Sequence, residues 1–218
     1  MIENIDRVVL LIIAVNVIVS IRGFNNYAFF DKYKFSVGSI LAGEKIRTIT
    51  SAFLHADWMH LLFNMYALYL FGDIVAAFLG SELFLLVYVI SLLSGSLYTL
   101  QSYKNTLYYN AVGASGAVSG IVFSSILLYP EMNLYLFFIP IPIPGYIFGF
   151  GYLLYSIYGM RNQTSNIGHA AHLGGAIGGF VLTILIKPSL FIDNTLTVLL
   201  MAIPILILVI FGDKIFKN

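Results

Sequence analysis

With 218 residues, 60% of them hydrophobic and 10% charged, and a mean hydropathy of +0.92, the chain falls outside the range of water-soluble domains. It has no cysteine, which excludes disulfides, thiolate nucleophiles and cysteine-held metals, and a formal net charge of +1 provides no basic field for nucleic acid. Its apolar runs are continuous rather than alternating, so helices in a bilayer are expected and barrel strands are not.

Charges, prolines and turn residues divide the sequence into seven apolar segments, each weighed against the roughly 20 residues that a span needs. They run about Asp6 to Ile21, Trp58 to Leu79, Glu82 to Leu100, Asn110 to Tyr129, Phe148 to Met160, Asn166 to Ile186 and Leu196 to Phe211. Met1 to Arg7 holds two acids and one base, and no small-residue cleavage site follows Val8 to Val19. The first segment therefore reads as a retained span rather than a cleaved signal. The connection from Arg22 to Asp57 mixes aromatic residues, among them Tyr27, Phe30 and Phe35, with cationic ones, among them Arg22, Lys34 and Arg47. Rings beside cationic heads suit the headgroup level, so this loop is expected to lie in the membrane interface against the bundle. Pro140, Pro142 and Pro144 deny the fifth segment regular helix until about Gly145, because each lacks a donor and disfavours helix in the residue before it.

Consecutive spans alternate direction, so all even-numbered spans begin on one membrane face. Their early residues are His60 and Asn64 in the second, Ser115 in the fourth, and His169 and His172 in the sixth. At 1.5 Å per residue these lie roughly 3 to 10 Å below their helix starts and share one shallow layer. The four histidines form two local pairs, His55 with His60 and His169 with His172. Ionisable groups inside a span are costly, and co-layered ones point to a functional site. Ser115 sits in Gly113-Ala114-Ser115-Gly116, in a first helical turn whose free donors and positive dipole end favour an oxyanion. Gly175 and Gly179 follow His172 as a small-residue stripe that permits close approach to another helix; if that helix is the fourth span, through Gly116 and Gly120, the imidazole is carried toward the Ser115 hydroxyl. No carboxylate lies at matching depth in the even spans, so a Ser-His dyad is expected. His60 and Asn64, four residues apart on one face, can both donate to an oxyanion.

Three segments together resemble the signature regions of rhomboid proteases: Arg47-x-x-Thr50-x-x-Phe53-x-His55-x4-His60-Leu61-x-x-Asn64-Met65, the run Gly113 to Gly116, and Ala171-His172-Leu173-Gly174-Gly175. The resemblance covers about Ala14 to Ile186. It implies Ser115 as nucleophile and His172 as general base and then acid. Asn64, His60 and the Ser115 backbone amide would hold the oxyanion, and Arg47 would brace the interfacial loop. It also implies lateral substrate entry between the second and fifth spans, and a cytoplasmic N-terminus. That orientation leaves only Arg7 and Lys187 inside, against the positive-inside bias. The chain departs from the family pattern in three places. Ile46 precedes the loop arginine instead of tryptophan; a glutamate is missing near the end of the second span, where Asp73 lies one turn earlier; and Ser119 stands where an aromatic residue commonly packs on the imidazole.

The expected fold is an all-α polytopic bundle, with a six-helix rhomboid-like core over 1–188, the interfacial loop at 22–57, and an added C-terminal transmembrane helix at 189–218. The expected function is an intramembrane serine endopeptidase acting on transmembrane protein substrates, in a prokaryotic cell membrane and with no cofactor. A zinc site of His55, His60, His169 and His172 lacks an H-E-x-x-H helix and a carboxylate base. A silent rhomboid-like protein that binds membrane clients is the other reading. Oligomeric state is not legible.

Overall fold

The structure is a computed structural model that describes residues 5–136, 139–162 and 168–216. Seven long helices carry the fold: α1 (Arg7–Asn25), α5 (Trp58–Leu79), α6 (Ser81–Tyr103), α7 (Ser115–Leu128), α8 (Gly145–Asn162), α9 (His169–Ile186) and α11 (Thr195–Phe216). Between them lie α2 (Tyr27–Tyr33), α3 (Val37–Leu41), α4 (Arg47–Thr50), a 3-10 turn at Ser51–Phe53, and α10 (Leu190–Asp193). Strand β1 (Phe35–Ser36) pairs antiparallel with β2 (Asn110–Ala111), and β3 (Asn133–Leu136) with β4 (Ile139–Pro144). Among the described residues, α1, α5, α6 and α9 are long and apolar enough to cross a membrane by composition alone; α7 and the described part of α11 are shorter apolar helices. The chain is an all-α polytopic membrane protein.

Helix starts follow local chemistry. Asp57 caps α5 by accepting the His60 N–H at 2.8 Å, and Asp6 caps α1 by accepting those of Val8 and Val9. Gly80 alone separates α5 from α6; at φ +86° it turns the chain in a conformation that a side chain would strain. Asp73 is buried on α5 and accepts the Asp6 backbone N–H at 2.8 Å, while Ser81 Oγ donates to Asp6 at 2.5 Å. The ends of α1, α5 and α6 are thereby tied together.

The interfacial connection is folded. Arg47 is buried, with Nη1 donating to the carbonyls of Asp31 (2.6 Å) and Lys34 (3.1 Å) and Nε to Glu44 (2.6 Å). Thr50 Oγ1 donates to the Tyr33 carbonyl at 2.9 Å, and the Arg22 guanidinium lies over the Phe29 ring. The Gly113 N–H donates to the Ser51 carbonyl at 3.0 Å, which joins this substructure to the chain entering α7.

The run 139–144 is non-helical up to Gly145, as its prolines require, and forms a strand. Alternate residues turn their N–H groups to the same edge, so the three prolines strip one edge of donors and leave the isoleucines to pair with β3. The fourth apolar segment becomes helical only at Ser115, because Asn110 and Ala111 pair with β1 and Gly113 takes φ +126°. Its 14 residues span only about 21 Å, against a hydrocarbon core of about 30 Å, so at least one end of α7 lies within the bilayer thickness. Protein rather than lipid encloses it, since every residue from Gly116 to Leu128 is buried. The remaining segments match to within a few residues, and α8 begins at Gly145. The expected start of the sixth, Asn166, lies outside the described residues.

Close helix approach in the centre depends on missing side chains. A Cβ at Gly175 would overlap the Gly116 carbonyl, and one at Gly179 the Gly120 carbonyl. A Cβ at Gly95 of α6 would lie 2.7 Å from the Ala171 carbonyl oxygen. Helices α6, α7 and α9 therefore form a tight trio, with Thr183 Oγ1 donating to Ser124 Oγ across α9 and α7. Outside it, α11 packs on α8, with Met201 against Gly149, and Asn194 Nδ2 donates to the Leu127 carbonyl at the far end of α7.

Candidate active site

Ser115 is the first residue of α7, preceded by Ala114, which supplies no side-chain cap. The first N–H groups of this helix have no partner within it, and the dipole adds positive potential, so the position suits an anion developing on or beside Ser115. Gly113 makes the approach possible. A Cβ there would lie 2.8 Å from His60 Nε2 and 3.7 Å from Ser115 Oγ, so His60 and Ser115 flank one spot left open by the glycine.

His60 is held from behind. Its Nδ1 accepts the Ala56 N–H at 3.5 Å, which assigns the ring proton to Nε2, on the Gly113 side. Asn64, one turn on, is buried and donates one amide hydrogen to the His60 carbonyl at 2.9 Å, leaving its second for another acceptor. His172 lies in the first turn of α9 with its N–H on the Gly168 carbonyl. The preceding residue, Ala171, abuts Gly116, the residue after Ser115: a Cβ at Gly116 would be 3.1 Å from the Ala171 oxygen. The fold thus sets the starts of α7 and α9 side by side, with the His60 ring across Gly113. On the α6 side of Ser115 lies a small cavity of about 40 Å³ whose walls include Ser51, Leu92, Ser96 and Thr99.

Two residues bearing on the site were not assigned a role in the sequence. Fully buried His55 packs edge-on to His60, with ring centroids 5.0 Å apart. Ser20 Oγ donates its only hydrogen to the Phe53 carbonyl, so His55 Nδ1–H donates to Ser20 at 2.8 Å, and Nε2 accepts the Ala114 N–H at 3.4 Å. A neutral ring thus fastens α1 to the residue before Ser115. Tyr152 of α8 stacks on His172, with centroids 5.8 Å apart and planes at 20°. The one signal in the sequence was Ser119 itself, which stands where an aromatic residue commonly packs on the imidazole. His169 packs against Gly159 and Tyr155 of α8. Among the described residues, no three potential ligands gather as a metal site.

Burial, with the neighbouring His60, lowers the His55 imidazole from 6.5 to about 3. Between those values the unfolded chain binds a proton that the native ring refuses. Stability is therefore full above about 6.5 and falls with pH below it, by at most about 1.4 kcal/mol per pH unit. The Tm of detergent-solubilised protein is expected to fall between pH 7 and pH 5, and His55→Gln, which cannot titrate, is expected to flatten that slope.

A polytopic helical bundle with a serine at an enclosed helix start, bordered by two histidine-bearing helices, has the architecture of an intramembrane protease. The rhomboid domain profile matches residues 42–189, and the chain belongs to the rhomboid family. It is 33% identical over 187 residues to RHOMBOID-like protein 12, mitochondrial, of Arabidopsis thaliana, covering 78% of this chain and 55% of that protein. It is 33% identical to Rhomboid protein 1, mitochondrial, of Saccharomyces cerevisiae, over 62% of this chain and 40% of that protein. It is 34% identical to YdcA of Bacillus subtilis, named as a candidate rhomboid protease, over 66% of this chain and 68% of that protein. The chain thus spans about half the length of the first two relatives.

Proposed function

We propose that this chain is an intramembrane serine endopeptidase that cleaves transmembrane segments of other membrane proteins. In acylation the Ser115 Oγ bonds to the scissile carbonyl carbon, His172 takes the hydroxyl proton, and the oxyanion is held by the Ser115 backbone N–H, His60 Nε2–H and the free Asn64 amide hydrogen. His172 then gives its proton to the departing amine, and in deacylation it takes one from water as water attacks the acyl carbon and returns it to Ser115 Oγ as the ester bond breaks and the acid product leaves. The observation that carries this reading is the uncapped, protein-enclosed start of α7, with the His60 ring across Gly113 and the start of α9 against Gly116. Electrostatic stabilisation is strongest where water is excluded and donors are already in place.

A helix hides its scissile bonds, so the substrate must unwind locally, which small or helix-breaking residues would ease. Entry between α5 and α8 is supported by the apolar side chains both helices leave exposed, among them Trp58, Leu62 and Tyr66 on α5 and Leu154 and Tyr158 on α8. Residues 1–188 would form the catalytic unit with α11 added to it, and the N-terminus would be cytoplasmic. A prokaryotic cell membrane agrees with the Bacillus relative, while the mitochondrial names of the other two give it no support.

The test is labelling of the purified full chain with a fluorophosphonate probe, in wild type and Ser115→Ala. Labelling lost in the variant supports an activated serine. An unlabelled wild type that retains its thermal transition would instead favour a silent, client-binding protein.

A further inference from the structure

The Tyr152 ring is held on several sides. His172 stacks on it at 5.8 Å, Phe148 of its own helix stacks at 6.1 Å, and Phe123 of α7 lies tilted at 6.1 Å. Its hydroxyl is 2.6 Å from Ser119 Oγ, and Ser119 Oγ donates to the Ser115 carbonyl at 2.7 Å. Since Ser119 has one hydrogen and spends it there, the Tyr152 O–H is the donor to Ser119. A directed chain therefore runs from the aromatic ring on His172 through two hydroxyls to the backbone of Ser115.

We propose that Tyr152 is a positioning residue, which fixes the plane of the His172 imidazole and makes the seating of α8 part of the reacting geometry. This rests on His172 acting as the base for Ser115. An imidazole must point its acceptor nitrogen at the hydroxyl it deprotonates, and a ring stacked on one face restricts rotation about the bond to the backbone. The hydroxyl anchor ties that stack to the helix carrying Ser115, so the two reacting groups share one frame. Phe148, Tyr152, Tyr155 and Gly159 follow helical spacing on α8, and two of these also pack on His169, so one stripe of α8 holds both histidines of α9.

The experiment measures the fluorophosphonate labelling rate, the thermal transition and the imidazole NMR signals of the full chain in detergent, assigning His172 by His172→Gln. Tyr152→Leu removes the ring, Tyr152→Phe keeps it without the anchor, and Ser119→Ala removes the same anchor from the other side. The Leu variant is expected to label at least about 30-fold more slowly and to lose the ring-current shift of His172. Phe and Ser119→Ala are each expected to slow labelling about 3- to 10-fold with the shift retained, and their combination no further, because both delete one bond. Equal rates for Leu and Phe, or wild-type labelling in the Leu variant, would overturn the proposal. If Tyr152→Leu loses its thermal transition, the double-variant comparison still decides, and additive losses would refute the anchor. A wild type that never labels, yet shows the His172 shift, would overturn the reading of the base itself and leave the stack with nothing to position.

Discussion

His172→Ala is expected to slow hydrolysis of a transmembrane peptide substrate by at least about 10⁴-fold, whereas Asn64→Ala slows it by about 10²-fold. The difference follows from what each residue supplies. Without the His172 imidazole, Ser115 loses its base, because His60 turns a protonated Nε2 toward the site and His169 packs against α8, and the leaving amine departs without an acid. Without Asn64, one oxyanion donor of three is gone, and His60 Nε2–H and the Ser115 amide remain. The loss from Asn64→Ala should fall mainly on kcat, since the donor serves charge that develops only in the transition state. Single-turnover cleavage in proteoliposomes separates the two, and equal, mild losses would refute both assignments.

Gly175→Ala is expected to be nearly as damaging, although Gly175 touches no substrate. Its Cβ would overlap the Gly116 carbonyl, a backbone atom that cannot rotate away, so α9 must move off α7. His172 lies one turn before Gly175 and Gly116 directly follows Ser115, so the displacement falls on the reacting pair. A shift of about 1 Å costs roughly 10²-fold in rate, and the repacking should lower Tm as well. Gly151→Ala on α8 is the control. A Cβ there meets nothing within 4 Å, so this variant should retain its labelling rate and Tm, helped by alanine's higher helix propensity. Equal behaviour of the two variants in labelling would show that the helix spacing does not control the site.

The spans were legible because lipid imposes a simple requirement: a continuous apolar run that satisfies its own hydrogen bonds. Trp58 to Leu79 coincides with α5 for that reason, and the start of α8 at Gly145 follows from three prolines that cannot donate. The nearness of the starts of α5, α7 and α9, seen in His60 across Gly113 and Ala171 against Gly116, was legible too, because alternating spans place their starts on one face. The glycine stripe after His172 was readable as a close approach, and its partner, Gly116 with Gly120, is the one observed.

What the sequence could not carry were pairings between residues distant along the chain. Nothing local to Asn110 signals that it pairs with Ser36, and that pairing, with Gly113, delays α7 until Ser115. Asp73 could be recognised only as a candidate substitute; its bond to the Asp6 N–H depends on how α1 and α5 meet. His55 looked like a fourth member of a reactive layer, but in the fold it is a neutral ring joining Ser20 to Ala114. Tyr152 was one aromatic residue among many in an apolar chain. By itself, then, the sequence determined the bilayer as solvent, the spans, their order and the depth of the chemically capable residues, because these depend on composition and periodicity along one segment. Tertiary structure alone decided which ring stacks on His172, which donors point at the space beside Ser115 and what holds the loop before it, because each is a distance between helices set by packing.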